Sequence, residues 1–285
     1  MDKKALIDLL NNDLDDEHAA VLRYVIHGYL EGEDTSIGAS LLSRAREEMW
    51  HMHWLGMAVG QLGGEPNLVP APYPYDPTNR ATIFKSYAAY EEKLIPHYNG
   101  EAEKVDDPHI KRVLQREASE SAIHARKFQR LLGKLTPDEA ATPPGGKPSL
   151  PKAFVDKLQD EIADKYREML QHIRYSWVFQ KEGNLGWQLM DQAMEKMKHI
   201  AHFAEDVAGD GADPRFKADQ VDMSTAIGQA LQRAFETVEG AFKRHQTFQK
   251  DGELQKHGGL VINLDFTARQ EAYQAAEIKD WMKKK

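Results

Sequence analysis

The segment 45–51 carries a glutamate and a histidine at a spacing that suits a metal ion. Glu48 and His51 are three residues apart in a run, 43–61, that contains no proline. On a helix that turns by about 100° per residue, this spacing places both side chains on one face, where a carboxylate and an imidazole can reach a common ion. A single pair of this kind is a weak signal, because Glu-x-x-His arises by chance in any glutamate-rich helix.

The same pattern recurs at three further places, with progressive loss of the ligand residues. The copies read Ala-Ser-Glu-Ser-Ala-Ile-His from Ala118, Ala-Met-Glu-Lys-Met-Lys-His from Ala193 and Ala-Arg-Gln-Glu-Ala-Tyr-Gln from Ala268. A glutamate followed seven residues later by a tyrosine precedes each of the first three copies of the pattern: Glu17 with Tyr24, Glu91 with Tyr98, and Glu168 with Tyr175. Because such matched spacings rarely arise by chance, the sequence predicts two copies of one domain, each holding two copies of the motif.

The composition limits the classes of function. The chain has 285 residues, 41% of them hydrophobic, which suits two domains with packed cores. A net charge of −8 argues against nucleic acid as a partner. The absence of cysteine excludes disulfides, thiolate catalysis and an iron site built from four cysteines. With no long apolar run and no signal-peptide pattern, we expect no membrane partner and a cytoplasmic location.

The positions of glycine, proline and apolar residues predict an all-α chain. The domains are predicted to be residues 1–135, a Pro/Gly-rich linker 136–151, and residues 152–285. Each domain is predicted to be a four-helix bundle, with helices at about 2–30, 36–62, 81–105 and 108–135, and at 152–180, 185–208, 223–250 and 267–284. The proline-rich stretch 63–80 is not helical, and at about 3.3 Å per residue it is long enough to return along a bundle as a crossover between the second and third helices.

Some local details are also predicted. Residues 34–36 supply N-cap candidates for the second helix, and residues 106–108 cap the fourth. Pro96 is expected to kink the third helix. A glycine-rich loop through 258–259, followed by a short extended piece at 260–264, is expected before the last helix.

Buried acidic residues in a bundle require a compensating charge. A carboxylate is costly to bury unless it is paired or binds a metal. Carboxylate-bridged dinuclear sites in bundles take one glutamate from each of two helices and a Glu-x-x-His pair from each of the other two. The inward positions of the first four helices provide most of such a set: Glu17, Glu48, His51, Glu91 and His124.

Around these residues the chain resembles the ferritin-like superfamily, specifically bacterioferritins and rubrerythrins. Residues 17–27, Glu-His-Ala-Ala-Val-Leu-Arg-Tyr-Val-Ile-His, look like the first bacterioferritin helix. Residues 107–114, leading into Ala118 and His124, are similar to the fourth helix of rubrerythrin relatives, and residues 45–66 resemble ferritin-like domains of some biosynthetic oxidases. The resemblance covers the first 135 residues well and the second half more faintly. It implies the predicted fold: two tandem ferritin-like four-helix bundles, each with a long crossover between its second and third helices, and the second one degenerate.

The resemblance also implies a role for each candidate ligand. Glu17 and Glu91 would be terminal metal ligands, and Glu48 would bridge two ions. His51 and His124 would each bind one ion. The candidate set is therefore a dinuclear centre held by three carboxylates and two imidazoles.

This sequence departs from the family pattern at one position. Ser121 stands where the family has a second bridging glutamate. Glu120 or Glu117, one and two turns before the motif histidine, could replace that ligand, and Glu120 is included in the predicted metal set. The candidate catalytic residues are Tyr24 and Tyr98, which lie near the site, where hydrogen bonding to ligands is the role their position favours.

The function implied is a non-haem oxidoreductase that acts on dioxygen or peroxide. Two iron ions are expected, or one if the replacement of the bridging glutamate has cost the second ion, with manganese as the alternative metal. Electrons would come from an external donor protein or from the substrate. Two alternatives stay open: a metal-poor, non-catalytic bundle used for assembly or binding, for example in a homodimer, and a manganese-catalase-like or peroxidase activity. His27, His53 and His97 lack ligand spacing and are interpreted as surface histidines or as histidines behind the ligands.

The second half has lost part of the ligand set. The residues that keep family positions are Glu168, His199 and Glu271. Lys196 replaces a bridging glutamate, and Gln274 replaces a histidine. Glu236 or Glu239 could supply the carboxylate of the third helix. The lysine is predicted to stand in for a metal, through a salt bridge to Glu168 or Glu271, which makes this half metal-free and structural.

Overall fold

A computed structural model describes residues 1–218 and 220–284, and within these ranges it is all-α and contains no strand. The prediction of an all-α chain is therefore confirmed. The chain divides into two compact units, Met1–Lys147 and Pro148–Lys285, and the division falls inside the segment predicted to be the linker. No helix in the described ranges is long and apolar enough to cross a membrane.

The first unit contains four long helices and one short helix. These are α1 (Lys3–Glu31), α2 (Ser36–Gln61), α3 (Arg80–Ala102), α4 (Pro108–Leu132) and the short α5 (Pro137–Ala141). Thr35 caps α2 by accepting a hydrogen bond from the amide of Gly38, and Asp107 caps α4, as the sequence predicts. Helix α3 continues through Pro96.

The connection between α2 and α3 returns along α1. Helix α1 packs against α2, and α3 packs against α4. Near the middle of α1, the side-chain amide of Asn67 donates to Asp15, and the amide of Ala71 donates to the Asp15 carbonyl oxygen. At the far end of α1, the Nε of Arg80 donates to Glu31 at 2.6 Å. Because the connection runs along α1 from the end of α2 to the start of α3, helices α2 and α3 run in the same direction. Within the unit, α1 and α2 form one antiparallel pair, and α3 and α4 form the other.

Aromatic packing and buried polar groups share the interior of the first unit. Tyr24, Phe84, Tyr87 and Phe128 are fully buried, and the ring centroids of Tyr24 and Phe128 lie 5.1 Å apart. The interior also holds carboxylates and imidazoles with almost no solvent exposure: Asp13, Glu17, Glu48, His51, Glu91, Glu117 and His124. Since buried charges need partners, these groups are the feature of the core that calls for an explanation.

The second unit repeats the arrangement of long helices. These are α6 (Lys152–Val178), α7 (Leu185–Gly209), α8 (Ile227–Phe248) and α9 (Gly258–Lys284), with a 3-10 turn at Leu254–Lys256. The prediction of a glycine loop at 258–259 and an extended piece at 260–264 is wrong, because α9 begins at Gly258. Leu260 and Leu264 are one turn apart and buried with Thr267 on the same face, so helical packing outweighs the glycine penalty of about 1 kcal/mol per residue.

The connection from α7 to α8 also follows the first helix of its unit. The side chain of Gln159 donates to the carbonyl oxygen of Asp213 and accepts from the amide of Arg215. Further along α6, Gln171 makes two hydrogen bonds with the backbone of Asp222. The described residues of this connection therefore return along α6, as those of the first connection return along α1.

Candidate metal centre

Five buried side chains of the first unit form two overlapping groups of ligand atoms. One group is Glu17, Glu48 and His51, and the other is Glu48, Glu91 and His124. Within each group one atom from every residue lies within 4.8 Å of the others. Helices α1, α2, α3 and α4 each contribute, and Glu48 belongs to both groups. The five residues that the Glu-x-x-His pattern and the resemblance single out are thus brought together.

Glu48 lies between the two histidines. Its Oε2 is 2.8 Å from Nδ1 of His51, and its Oε1 is 2.7 Å from Nδ1 of His124. Each Nδ1 also faces a second carboxylate, Glu17 at 3.2 Å for His51 and Glu91 at 3.5 Å for His124. The arrangement is close to symmetric about Glu48, which presents one oxygen to each side.

The outer nitrogen of each histidine is held by another glutamate. Nε2 of His51 is 2.7 Å from Glu120, and Nε2 of His124 is 2.6 Å from Glu47. A carboxylate on the far nitrogen fixes the ring so that Nδ1 faces inward. Glu120, predicted as a metal ligand, therefore belongs to neither ligand group and contacts the outer side of His51. Glu47 was not predicted, although it occupies the same position in its motif copy as Glu120 does in the second.

Tyrosines donate hydrogen bonds to the two terminal carboxylates. Tyr98 donates to Glu17 at 2.5 Å, and Tyr24 donates to Glu91 at 2.6 Å. Burial and the neighbouring carboxylates raise the pKa of both phenols well above the usual value, so they stay protonated donors. The hydroxyl of Tyr73, in the connection between α2 and α3, lies 2.9 Å from that of Tyr24. Sequence reasoning missed Tyr73, because only the path of the connection brings it there.

Glu117 is a further carboxylate beside the centre. It is fully buried, and neither of its side-chain oxygens has a hydrogen-bond partner. Burial raises its pKa well above the usual value, and Glu17 adds to this while His51 opposes it. Ser121, one turn further along α4, is also buried. Ser121 stands where the ferritin-like pattern has a glutamate, and Glu117 supplies a carboxylate one turn earlier on the same face of α4.

The buried carboxylates of the centre require positive charge beside them. Burial, and then the charge of Glu48, raise the pKa of Glu17 to about 7. Burial alone would lower the pKa of His124, but Glu48 and the other carboxylates raise it to about 12. Glu17 and Glu48 likewise raise the pKa of His51 well above the usual value against the effect of burial. Protonated imidazoles thus supply the positive charge that ions would supply.

The donor set fits metal ions. Glu91 Oε2 is buried and has no hydrogen-bond partner, and Glu48 Oε1 and His124 Nδ1, which lie 2.7 Å apart, have none beyond each other. Buried polar groups are normally hydrogen-bonded, so unpartnered atoms that converge on one place indicate a missing ligand. Carboxylate and imidazole donors are those that iron, manganese and zinc bind in proteins. These residues can therefore hold a metal ion on each side of Glu48.

Lysines occupy the centre of the second unit. Nζ of Lys196 is 3.5 Å from Glu168 and donates to Gln274 at 2.7 Å. The predicted salt bridge is therefore confirmed for Glu168. Lys165, which the sequence analysis did not single out, donates to Glu168 at 2.7 Å and also forms an ion pair with Glu271. All five of these side chains are almost completely buried.

Other contacts of the second unit repeat those of the first in neutral form. Nε2 of His199 lies 2.6 Å from Oε1 of Gln270, and burial lowers the pKa of that histidine to about 3, aided by Lys165 and Lys196. In the described part of this unit, no three histidine or acidic side chains bring ligand atoms within 4.8 Å of one another.

The prediction that Glu236 or Glu239 supplies a carboxylate from the third helix of this unit is wrong. Their side chains are 49% and 40% exposed, and they pair with Arg233 and Lys243 on the surface. The buried positions of α8 are filled instead by Ala230, Leu231, Ala234, Val238, Ala241 and His245. The apolar stripe of α8 fixes its inward face, and both glutamates lie off that stripe.

Comparison of the chain with protein-family models, with curated proteins and with solved structures found no match. The resemblance to ferritin-like proteins therefore rests on the sequence motifs alone.

Proposed function

We propose that the first unit is a ferritin-like, carboxylate-bridged dinuclear metal centre, and that the protein is a non-haem oxidoreductase acting on dioxygen or peroxide. The observation that carries this proposal is the position of Glu48, whose two oxygens face the Nδ1 atoms of His51 and His124 at 2.8 and 2.7 Å. A carboxylate placed in this way can bridge two ions, each with its own histidine and its own terminal glutamate.

The path of the chain supports the same assignment. Ferritin-like bundles have one long crossover connection, and their metal ligands project inward from all four helices. Both features occur in the first unit, where the connection follows α1 from Asn11, which donates to Glu65, to Glu31, which binds Arg80. The second unit has the same order of long helices, so we interpret the chain as a tandem pair of such bundles.

The number of charges favours two divalent ions. Glu17, Glu48, Glu91 and Glu117 together carry four negative charges when ionised, and two divalent cations balance them. We assign Glu117, rather than Glu120, as the replacement for the carboxylate missing at position 121, because its oxygens are buried and without partners. Iron is the expected metal and manganese the alternative, since both accept mixed carboxylate and imidazole ligands.

The residues around the ligands have distinct tasks. Glu47 and Glu120 hold the histidine rings and keep Nδ1 turned inward. Tyr24 and Tyr98 hydrogen-bond the terminal carboxylates and limit their rotation. When bound, a pair of redox-active ions supplies the electrons that dioxygen or peroxide reduction requires. The surrounding apolar and aromatic side chains exclude bulk water from that reaction.

The second unit has a structural role in this proposal. Lys165 and Lys196 neutralise Glu168 and Glu271 without a metal. A fixed positive charge in the centre repels cations, and with Gln274 one imidazole ligand is also gone. The unit therefore supports folding or assembly while the first unit carries the chemistry.

Metal content and oxygen consumption of matched variants test this function. The chain is expressed with iron and manganese both present, and metals per chain are measured by plasma mass spectrometry. Glu48→Gln removes the bridge, and Glu91→Gln removes one terminal ligand. Glu92→Gln is the matched control. Glu92 is the exposed neighbour of Glu91, and its carboxylate accepts a hydrogen bond from the side chain of Gln129.

The proposal predicts about two ions per wild-type chain, as expected of a two-metal site. It also predicts that Glu48→Gln loses both ions, that Glu91→Gln loses one, and that the control keeps both. Dioxygen or peroxide consumption should disappear with Glu48→Gln. Preferential manganese loading with peroxide disproportionation would favour the catalase-like alternative. If the wild-type chain holds no metal after reconstitution, the proposed oxidoreductase function is wrong, and the non-catalytic bundle is the remaining alternative.

A further inference from the structure

A second cluster of potential ligands lies outside the five-residue centre of the first unit. Asp13 on α1 and His97 and Glu101 on α3 bring one ligand atom each to within 4.8 Å of one another. Nε2 of His97 is 3.0 Å from Oδ1 of Asp13 and 3.4 Å from Oε2 of Glu101. None of the three belongs to the five-residue centre, and the sequence spacing alone indicates no ligand role for His97.

The carboxylates of this cluster are incompletely satisfied. The Asp13 side chain is 0% exposed, and its Oδ2 has no hydrogen-bond partner; Oε2 of Glu101 is also buried and lacks one. A carboxylate oxygen cannot donate a hydrogen bond, so two facing carboxylates need a proton or a cation between them. Burial, and then Asp13, raise the pKa of Glu101 to about 8, which reflects the same unfavourable proximity.

The position of the cluster allows an ion to reach it. The His97 side chain is 40% exposed, whereas that of Asp13 is fully buried, so the cluster opens to solvent on the histidine side. His97 and Glu101 are four residues apart on α3, and at this spacing two side chains point the same way. Asp13 comes from α1, so an ion here would also link two helices that both contribute to the dinuclear centre.

We propose that Asp13, His97 and Glu101 form a third, solvent-accessible site for a divalent transition-metal ion. Two carboxylates and one imidazole supply three ligands, and water completes the shell on the open side, as in other metal sites with three protein ligands. Asp13 is one helical turn from Glu17, about 6 Å along the axis, so this site adjoins the dinuclear centre without sharing a ligand with it.

The test uses Zn²⁺ as the probe, because zinc binds both carboxylate and imidazole and needs no redox control. Zinc per chain and the affinity of each step are measured by equilibrium dialysis and plasma mass spectrometry on the full chain. The variants are His97→Ala and Glu101→Gln, both at partly exposed positions. The control is His109→Ala, which removes an exposed histidine at the start of α4.

If the third site exists, His97→Ala binds about one zinc ion fewer per chain than His109→Ala. Glu101→Gln lowers the zinc affinity of that same site by at least about tenfold. Circular dichroism must show unchanged helix content in both. Equal zinc content and affinity in His97→Ala and His109→Ala would overturn the proposal, and so would a wild-type chain that binds no zinc.

Glu48→Gln separates this site from the proposed function. If the dinuclear centre and the third site both exist, Glu48→Gln keeps about one zinc, and His97→Ala combined with Glu48→Gln keeps none. If Glu48→Gln binds as much zinc as the wild type while His97→Ala loses one ion, the dinuclear proposal fails and the third site stands. If only Glu48→Gln loses zinc, the third site fails alone.

Discussion

The centres of the two units both bury carboxylates, but different side chains stand beside those carboxylates. In the first unit Glu48 lies between two imidazoles, each of which also faces a second carboxylate, Glu17 or Glu91. In the second unit Lys196 holds the same place in the repeated motif, and it contacts Glu168 and Gln274. A lysine in place of a glutamate therefore changes the sign of the charge at this position of the motif.

The contacts around each centre change together. His51 binds Glu120 through its outer nitrogen, and His199 binds Gln270 in the same way. Glu17 of the first unit and Glu168 of the second occupy equivalent positions. Three residues earlier, the first unit has the buried Leu14 and the second unit has the buried Lys165. The second unit thus keeps the shape of the contacts, while lysine–glutamate ion pairs stand where the first unit has histidine–glutamate contacts. If the first unit binds metal as proposed, the comparison teaches that loss of such a site requires new cations as well as fewer ligands.

The largest expected effect is protection of the first unit alone by metal. Ions that bind only the folded state add about 4 kcal/mol each when free metal exceeds its Kd by about a thousandfold. Hydrogen exchange followed by mass spectrometry on the full chain, with and without Fe²⁺ under anaerobic conditions, measures this for each helix. We expect slower exchange in α1–α4 and no change in α6–α9. Equal protection of both units would remove the proposed difference between them.

The next largest effect is expected from Lys165→Ala. This change leaves Glu168 and Glu271 buried with one cation fewer, and breaking a buried ion pair on one side costs about 3–5 kcal/mol. Urea unfolding monitored by hydrogen exchange in α6 and α9 measures the loss. Lys198→Ala is the control, because its exposed pair with Glu195 contributes at most about 1 kcal/mol. A loss no larger than that of the control would show that Lys165 is not what neutralises this centre.

A smaller effect is expected at the outer side of the histidines. Glu120→Gln gives His51 the amide partner that His199 already has, and such changes behind a ligand weaken metal binding by about 10- to 100-fold. Competition with a chelator measures the affinity of the first unit. Gln270→Glu, the reverse change in the second unit, should leave the metal content of the chain unchanged. If Glu120→Gln binds metal as tightly as the wild type, Glu120 does not orient the ligand.

The smallest effect is an opposite response of the metal-free units to pH. Burial lowers the pKa of His199 to about 3 and that of His172 to about 4, so below about pH 6.5 the unfolded chain binds more protons and the second unit loses stability. Burial raises the pKa of Asp13 and of Glu17 to about 7, so the first unit loses stability as pH rises from about 4 to 7.

In the first unit burial lowers the pKa values of three histidines, which opposes this trend: His18, to about 3, His27 and His53. The carboxylates whose pKa values are raised outnumber them: Asp13, Asp15, Asp16, Glu17, Glu101 and Glu117. From pH 7 to pH 5 we expect a change on the order of 1 kcal/mol per group, in opposite directions for the two units. Hydrogen exchange in α1 and α6, corrected for the intrinsic pH dependence of exchange, measures both in one sample. A change of the same sign in both helices would contradict the contrast.

The sequence alone determined the helices and most of the candidate ligands. The bounds of α1 to α4 follow from caps and apolar periodicity, both of which are local. The spacing of Glu48 and His51 is local too, and its repetition at Ser121–His124 and at Lys196–His199 identifies the equivalent positions. Patterns that act within one helix can be read without knowing its neighbours.

Only the tertiary structure decided which atoms meet between helices. It placed Glu120 on the outer nitrogen of His51, brought Tyr73 to Tyr24 through the long connection, and joined Asp13 to His97. It also put Lys165 between two glutamates from different helices. These contacts depend on the rotation and depth of one helix against another, which the packing of the whole core sets. A sequence motif contains the candidate ligand types, but the core packing determines which of their atoms converge on one place.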